Sequence, residues 1–219
     1  EYDQLRLYRV EPDWMSLTEE PAQLFALSDL PVKIRYRPPS TKPFPRLSTA
    51  ALEDIQTIMD LVEQDSLESY VLRLEAFYRR VPGTDSSHAA RDYIAAKFVD
   101  FGYDSVYTDP FPATALPEYT PCEAYNVVAY KEGTVFPNRH IVVGGHYDAF
   151  PNCPGADDNA TGTALAMECA RILKDIDTRM SIVFVAFDAE ESGLWGAKRY
   201  VEQALATDED IVVMVNADM

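Results

Sequence analysis

Six residues in this chain are equipped for joint chemistry: His146, Asp148, Asp158, Glu190, Glu191 and Asp218. His146 is one of only three histidines. It lies in VVGGHYDAFPNCPGADDNATGTALA (142–166), two residues before Asp148 and twelve before Asp158. Glu190 and Glu191 are adjacent in FDAEESGLWG, and Asp218 falls in VNADM. One imidazole with several carboxylates is a nitrogen and oxygen donor set that suits divalent zinc, with manganese or cobalt as substitutes. Each position also has a plain explanation. A histidine after a strand is commonly a hydrogen-bonded loop residue. An Asp-Asp pair ahead of a helix is commonly an N-cap, and Glu190-Glu191 reads equally as an exposed acidic turn. Coincidence decides between these readings, because so many carboxylates in one place repel one another unless a cation offsets their charge.

Whether they share one place depends on the elements that carry them. NVVAY (126–130), HIVVGG (140–145), SIVFVAF (181–187) and DIVVMV (210–215) are short apolar runs rich in Val and Ile. That pattern predicts strands buried on both faces of a parallel-type sheet. Residues 161–175 and 192–206 between them have helical length, with Glu168, Arg171, Lys174, Lys198, Arg199 and Glu202 marking wet faces. Alternating strands and helices imply an α/β sandwich with right-handed crossovers. His146, then Asp188, Glu190 and Glu191, then Asp218 follow three successive strands. All therefore sit at carboxyl ends of strands, the edge where open parallel sheets bind ligands. Asp158 joins them from the loop before a helix.

Upstream, STAALEDIQTIMDLVEQ starts a helix at Ser48, a second helix is predicted over 67–80, and PGTDSSHAARDYIAAKFVDFG gives a third with Ala90, Ile94 and Phe98 on one face and Gly102 as its stop. Residues 1–50 hold the proline-rich RPPSTKPFPR (37–46) and a strand-like VKIRY (32–36), and read as an extension and linker ahead of a domain over 51–219.

Composition narrows the function. Asp plus Glu number 36 against 19 Lys plus Arg, a net charge of −17, which repels phosphate backbones and anionic membrane surfaces. Nucleic acid and membrane are excluded as expected partners. No apolar run reaches the roughly 20 residues needed to span a bilayer. The three cysteines, Cys122, Cys153 and Cys169, have no close spacing, which excludes a cysteine zinc ribbon and allows one disulfide, Cys122 with Cys153; Cys169 lies in an apolar helix pattern as a buried thiol.

GGHYD, GADDNATG, FDAEESGLWGAKRYV and VNADM, in that order, resemble the co-catalytic di-zinc aminopeptidases, typified by secreted bacterial leucyl aminopeptidases and aminopeptidase Y, over about residues 50–219. The resemblance implies a three-layer α/β/α sandwich with a mostly parallel central sheet. It implies zinc, two ions per complete domain, with His146 and Asp218 as ligands of one ion, Glu191 of the other, and Asp158 bridging both. Asp148 is then the carboxylate that orients His146, and Glu190 the general base acting on a metal-activated water. The substrate implied is a peptide with a free N-terminus, and the compartment implied is secreted or periplasmic. The family's remaining ligand is a histidine on a later loop, expected beyond Met219, since His88 and His140 are poorly placed to replace it. On this reading the C-terminal part of the domain is missing, and the 219 residues alone bind at most one zinc tightly. A carboxypeptidase, a glutaminyl cyclase-like enzyme of the same fold and a non-catalytic binding domain are the alternatives. No Gly-x-Ser-x-Gly elbow, phosphate loop or HExxH helix supports a different chemistry.

Overall fold

A computed structural model describes the backbone of residues 49–219 and side chains from Asp54 onward. The Ser48 cap, the VKIRY strand and nearly all of the extension expected over 1–50 lie outside the described residues. The element order is α1 (Thr49–Met59), α2 (Gln64–Ala76), α3 (Asp85–Asp100), β1 (Ser105–Ala115), β2 (Thr120–Lys131), β3 (Phe136–His146), α4 (Gly162–Leu173), β4 (Met180–Phe187), α5 (Trp195–Ala206) and β5 (Asp210–Asn216). The third helix follows its sequence signals closely. The Thr84 side chain accepts from Ser87 N at 3.3 Å as an N-cap, Ala90, Ile94 and Phe98 are buried, and Gly102 leaves the helix at φ 92°.

Five strands form one sheet in the order β1-β2-β4-β3-β5. β4 and β5 both pair with β3 in parallel, as their apolar runs predict. β2 departs from expectation: it runs antiparallel to both β1 and β4. The reason is the link from Lys131 to Phe136, four residues long. Making β2 and β3 parallel would need a crossover of about a dozen residues. The sheet is thus mixed, parallel only among β3, β4 and β5. β1 gave no strand signal because Pro110 and Pro112 interrupt it. Among the described residues it is an edge strand pairing with β2 alone, where a residue without an N–H is tolerated.

Side chains alternate across this sheet into two cores. Val127, Ala129, Val143, Ile182, Phe184 and Ala186 face α2, α3 and α4, with Leu74, Ile94, Phe98 and Met167 fully buried against them. Val128, Val142, Val183, Val185 and Phe187 face the other way, onto Ala197 and Tyr200 of α5. Helices therefore cover both faces, and the architecture is the three-layer α/β/α sandwich expected. The burial of each large side chain stabilises it by about 1.5–3 kcal/mol. β5 is the exception to strands buried on both faces. Among the described residues it pairs with β3 alone, and Val212, Val213, Met214 and Val215 stay 37–48% exposed.

Candidate metal centre

β3, β4 and β5 end side by side, and that edge carries the polar cluster. His146 is the last residue of β3, Glu190 and Glu191 follow β4 within four residues, and Asp218 lies two residues past β5. Asp158 comes from a kinked turn, Ala156–Thr161, ahead of α4, where its own backbone is non-helical (φ −101°, ψ 99°). Gly145 allows this turn to approach: a Cβ there would stand 2.7 Å from the Gly162 carbonyl carbon and 3.0 Å from Ala217 O. Asn159, fully buried, fastens the pieces. Its Nδ2 donates to Ala217 O at 2.9 Å and its Oδ1 accepts from Gly162 N at 2.9 Å. Thr163 Oγ1 donates to His146 O at 2.8 Å.

Three of the four expected ligands, His146, Asp158 and Asp218, converge on one point, and Glu191 is not among that group. His146 Nε2 lies 3.0 Å from Asp158 Oδ1, 3.6 Å from Asp218 Oδ1 and 3.9 Å from Glu190 Oε2. One donor atom from each of His146, Asp158 and Asp218 falls within 4.8 Å of the others. On the other side of the ring, Nδ1 stands 3.2 Å from Asp148 Oδ1. Asp148 is fully buried and also accepts from Glu190 N at 3.0 Å and Glu191 N at 3.2 Å. A carboxylate that fixes the ring through one nitrogen frees the other to bind metal. The imidazole is almost enclosed while Asp158 and Asp218 remain half exposed, so a small cation can enter from solvent.

Electrostatics show how closely the charges are crowded. Burial pulls the His146 pKa down, but the hydrogen bond and charge of Asp148, with Glu190 and Asp218 behind them, push it up to about 9. Burial, then the charges of Asp158 and Asp148, raise Glu191 to about 7. Burial also raises Glu190; His146 opposes the shift, and Asp148, Asp218 and Asp158 reinforce it. Protons thus play the part of a cation among crowded carboxylates. The donor set, one imidazole nitrogen with carboxylate oxygens, fits zinc. Beside it lies a cavity of about 250 Å³ lined by His146, Phe187, Glu190, Leu194, Met214 and Asp218.

Other histidines and thiols stay apart from this centre. His140 lies six residues back along β3, 3.3 Å from Glu209, and the His88 ring packs edge-on against Tyr125 at 5.6 Å. Cys122 and Cys153 are free thiols, so the disulfide allowed by the sequence is not formed, and Cys169 is only partly buried. Sequence reasoning missed Arg80, Tyr147 and Asn159. Their types carry no metal or catalytic signal, and their roles arise from contacts distant in sequence. Asp188, noted only as lying at the sheet edge, is fully buried and accepts from Tyr147 Oη at 2.9 Å, Tyr125 N at 3.0 Å and Ala189 N at 2.9 Å.

Comparison with known proteins agrees with this geometry. Residues 126–219 match Peptidase family M28. A probable zinc metalloprotease of Pyrenophora teres f. teres is 30% identical over 189 residues, covering 76% of this chain and 41% of that protein. Aminopeptidase YwaD of Bacillus subtilis is 40% identical over 88 residues, 40% of this chain and 19% of that protein. Among solved structures, the aminopeptidase from Aneurinibacillus sp. strain AM-1 superposes with a TM-score of 0.66 at 17% identity, over 75% of this chain and 72% of that one. The glutaminyl cyclase of Porphyromonas gingivalis superposes with a TM-score of 0.61 at 27% identity, over 73% and 60%. The chain spans 41–44% of the length of the first curated relatives it matches. Fold, donor set and sequence agree: the segment bearing all six candidate residues, 126–219, matches Peptidase family M28, and the curated relatives matched over a longer stretch are named probable zinc metalloproteases.

Proposed function

We propose that the protein of which this chain is part is a zinc-dependent aminopeptidase. The observation that carries this reading is the convergence of His146, Asp158 and Asp218 within 4.8 Å, with Glu190 at their side. His146, Asp158, Glu191 and Asp218 would hold the metal, two ions in the complete domain. Bound zinc supplies a Lewis acid that acidifies water and polarises a scissile carbonyl. The chain's own residues do the rest. Asp148 keeps the His146 ring turned with Nε2 toward the donors, and through two N–H contacts it anchors the loop that holds Glu190. Glu190 Oε2 faces the centre, and its raised pKa brings a carboxylate closer to the operating range of a general base. It takes a proton from the attacking water and returns it to the leaving amine.

A substrate with a free N-terminus is supported by the likeness to Aminopeptidase YwaD, 40% identical over 88 residues. The 27% identity to the Porphyromonas gingivalis glutaminyl cyclase supports a second reading, cyclisation of an N-terminal glutaminyl residue. One experiment separates the two: full-length protein, loaded with zinc, is assayed on a leucine anilide and on a glutaminyl peptide. Release of the anilide without cyclisation supports the aminopeptidase, and the reverse result replaces it with the cyclase. Export from the cytosol is part of the proposal, resting on the acidic composition; native protein confined to cytosolic fractions would reject it.

A further inference from the structure

A fully buried arginine sits under the centre. Arg80, 0% exposed, lies past the end of α2. Its Nε donates to Tyr147 O at 2.6 Å, Nη1 to Pro154 O at 2.5 Å and to Leu74 O at 2.8 Å, and Nη2 to Gly155 O at 2.7 Å. Its own carbonyl accepts from Ala149 N at 3.3 Å. Three of these four acceptors and the one donor belong to residues 147–155, the irregular stretch between β3 and the turn that bears Asp158. That stretch begins beside His146, contains Asp148 and ends three residues before Asp158.

Irregular backbone satisfies few of its own carbonyls, and a buried carbonyl needs a partner; of the three bound by Arg80 here, Gly155 O also accepts from Ala160 N at 3.0 Å. Here one planar fork satisfies carbonyls at both ends of the stretch at once, so the distance between its ends is fixed by the width of a guanidinium. The local packing leaves no slack. A Cβ on Gly155, whose φ is 60°, would stand 2.7 Å from Arg80 Nη2, 2.5 Å from the Ala149 Cβ and 2.7 Å from Asp158 O. Burial lowers the Arg80 pKa, and the charge of Asp148, then of Cys153 and Asp158, opposes that shift.

We propose that Arg80 is a positioning residue for metal binding: by clamping the carbonyls of Tyr147, Pro154 and Gly155 it sets the spacing of Asp148 and Asp158 about His146. This rests on the zinc reading of the site. Lysine keeps the charge but offers one nitrogen where the fork offers three, so it cannot span the same carbonyls.

The test uses full-length protein and measures zinc affinity by titration against a competing chelator, with the fold followed by circular dichroism and the thermal midpoint read with and without zinc. Arg80→Lys is expected to weaken zinc binding about 10- to 100-fold, the range for removing an outer support of a metal site, and to shrink the zinc-induced rise in midpoint. Ile94→Ala, which opens the core under α3 away from the centre, is expected to lower the midpoint while leaving zinc affinity within about twofold of wild type. If Arg80→Lys fails to fold, Gly155→Ala, which crowds Arg80 Nη2 and Asp158 O alike at 2.7 Å, is the second variant, and retained zinc affinity there overturns the role. Wild-type affinity in a folded variant at either position overturns the positioning role and leaves the zinc reading intact. Absence of zinc binding by wild-type protein overturns both.

Discussion

Asp148 holds His146 and Glu191 together: Oδ1 lies 3.2 Å from His146 Nδ1, and Oδ2 accepts from Glu191 N at 3.2 Å. One fully buried carboxylate thus links the end of β3 to the loop after β4, two segments more than forty residues apart. Asp148→Asn keeps the shape but removes the charge that supports the imidazole and changes what its amide can accept from two N–H groups. Zinc affinity is expected to fall about 10- to 100-fold, read by chelator competition. An unchanged affinity would show that Asp148 serves only to fold the loop.

The adjacent glutamates should separate by phenotype. Glu190→Gln is expected to retain zinc and lose at least about 100-fold in kcat, the scale for a positioned general base. Glu191→Gln is expected to lose zinc first. Elemental analysis and turnover of both variants, measured together, decide the assignment. Full turnover by Glu190→Gln would move the base elsewhere.

Much of this centre was legible in the sequence because its chemistry is written in short motifs at the ends of apolar strands. His146, Asp158, Glu190 and Asp218 could be placed on one edge from periodicity and the sheet-edge rule. The direction of β2 was not legible, because an apolar run reads alike in either orientation, and only the short link after Lys131 decides it. β1 was hidden by two prolines that an edge strand tolerates. Arg80 was hidden for a different reason: beside Arg79 at the end of the helix predicted over 67–80 it looks like a solvated residue, and nothing local reveals that three distant carbonyls, with that of Leu74, enclose it.

Zinc binding should release protons over a defined range. In the metal-free protein His146 carries its proton up to about pH 9, and zinc needs the neutral ring. Apparent affinity should therefore rise about tenfold per pH unit between about 7 and 9 and flatten above, with a steeper slope below 7 where Glu191 also gives up a proton. The metal-free fold shows the opposite trend. A His146 pKa raised from 6.5 to about 9 contributes about 3 kcal/mol that is fully present below pH 6.5 and lost as pH rises through 9. Glu191, raised from 4.5 to about 7, shifts stability in the same direction across that lower range. Denaturant titrations at pH 6 and 9, with and without zinc, check both trends; metal-free protein more stable at pH 9 would contradict the protonated state of His146.

Gly196, at the start of α5, ties the loop after β4 to the second core. Its N donates to Asp188 O at 3.0 Å, and its carbonyl accepts from Asn126 Nδ2 at 2.9 Å. A Cβ there would meet Asn126 Oδ1 at 2.4 Å, Asp188 O at 2.4 Å and Asp188 N at 2.9 Å. Two of these are main-chain atoms, so the clash cannot be relieved by turning a side chain, and the helix start or the Asp188–Glu191 loop must move. Gly196→Ala should cost about 1–3 kcal/mol of stability, the scale of overpacking a closed site. Because Asp188 in turn holds Tyr147 and thereby the segment around His146, the displacement should also reach the metal donors. Zinc affinity and the thermal midpoint are expected to fall together in this variant, whereas a loss of stability with unaltered zinc affinity would mean that the helix gives way and the loop does not.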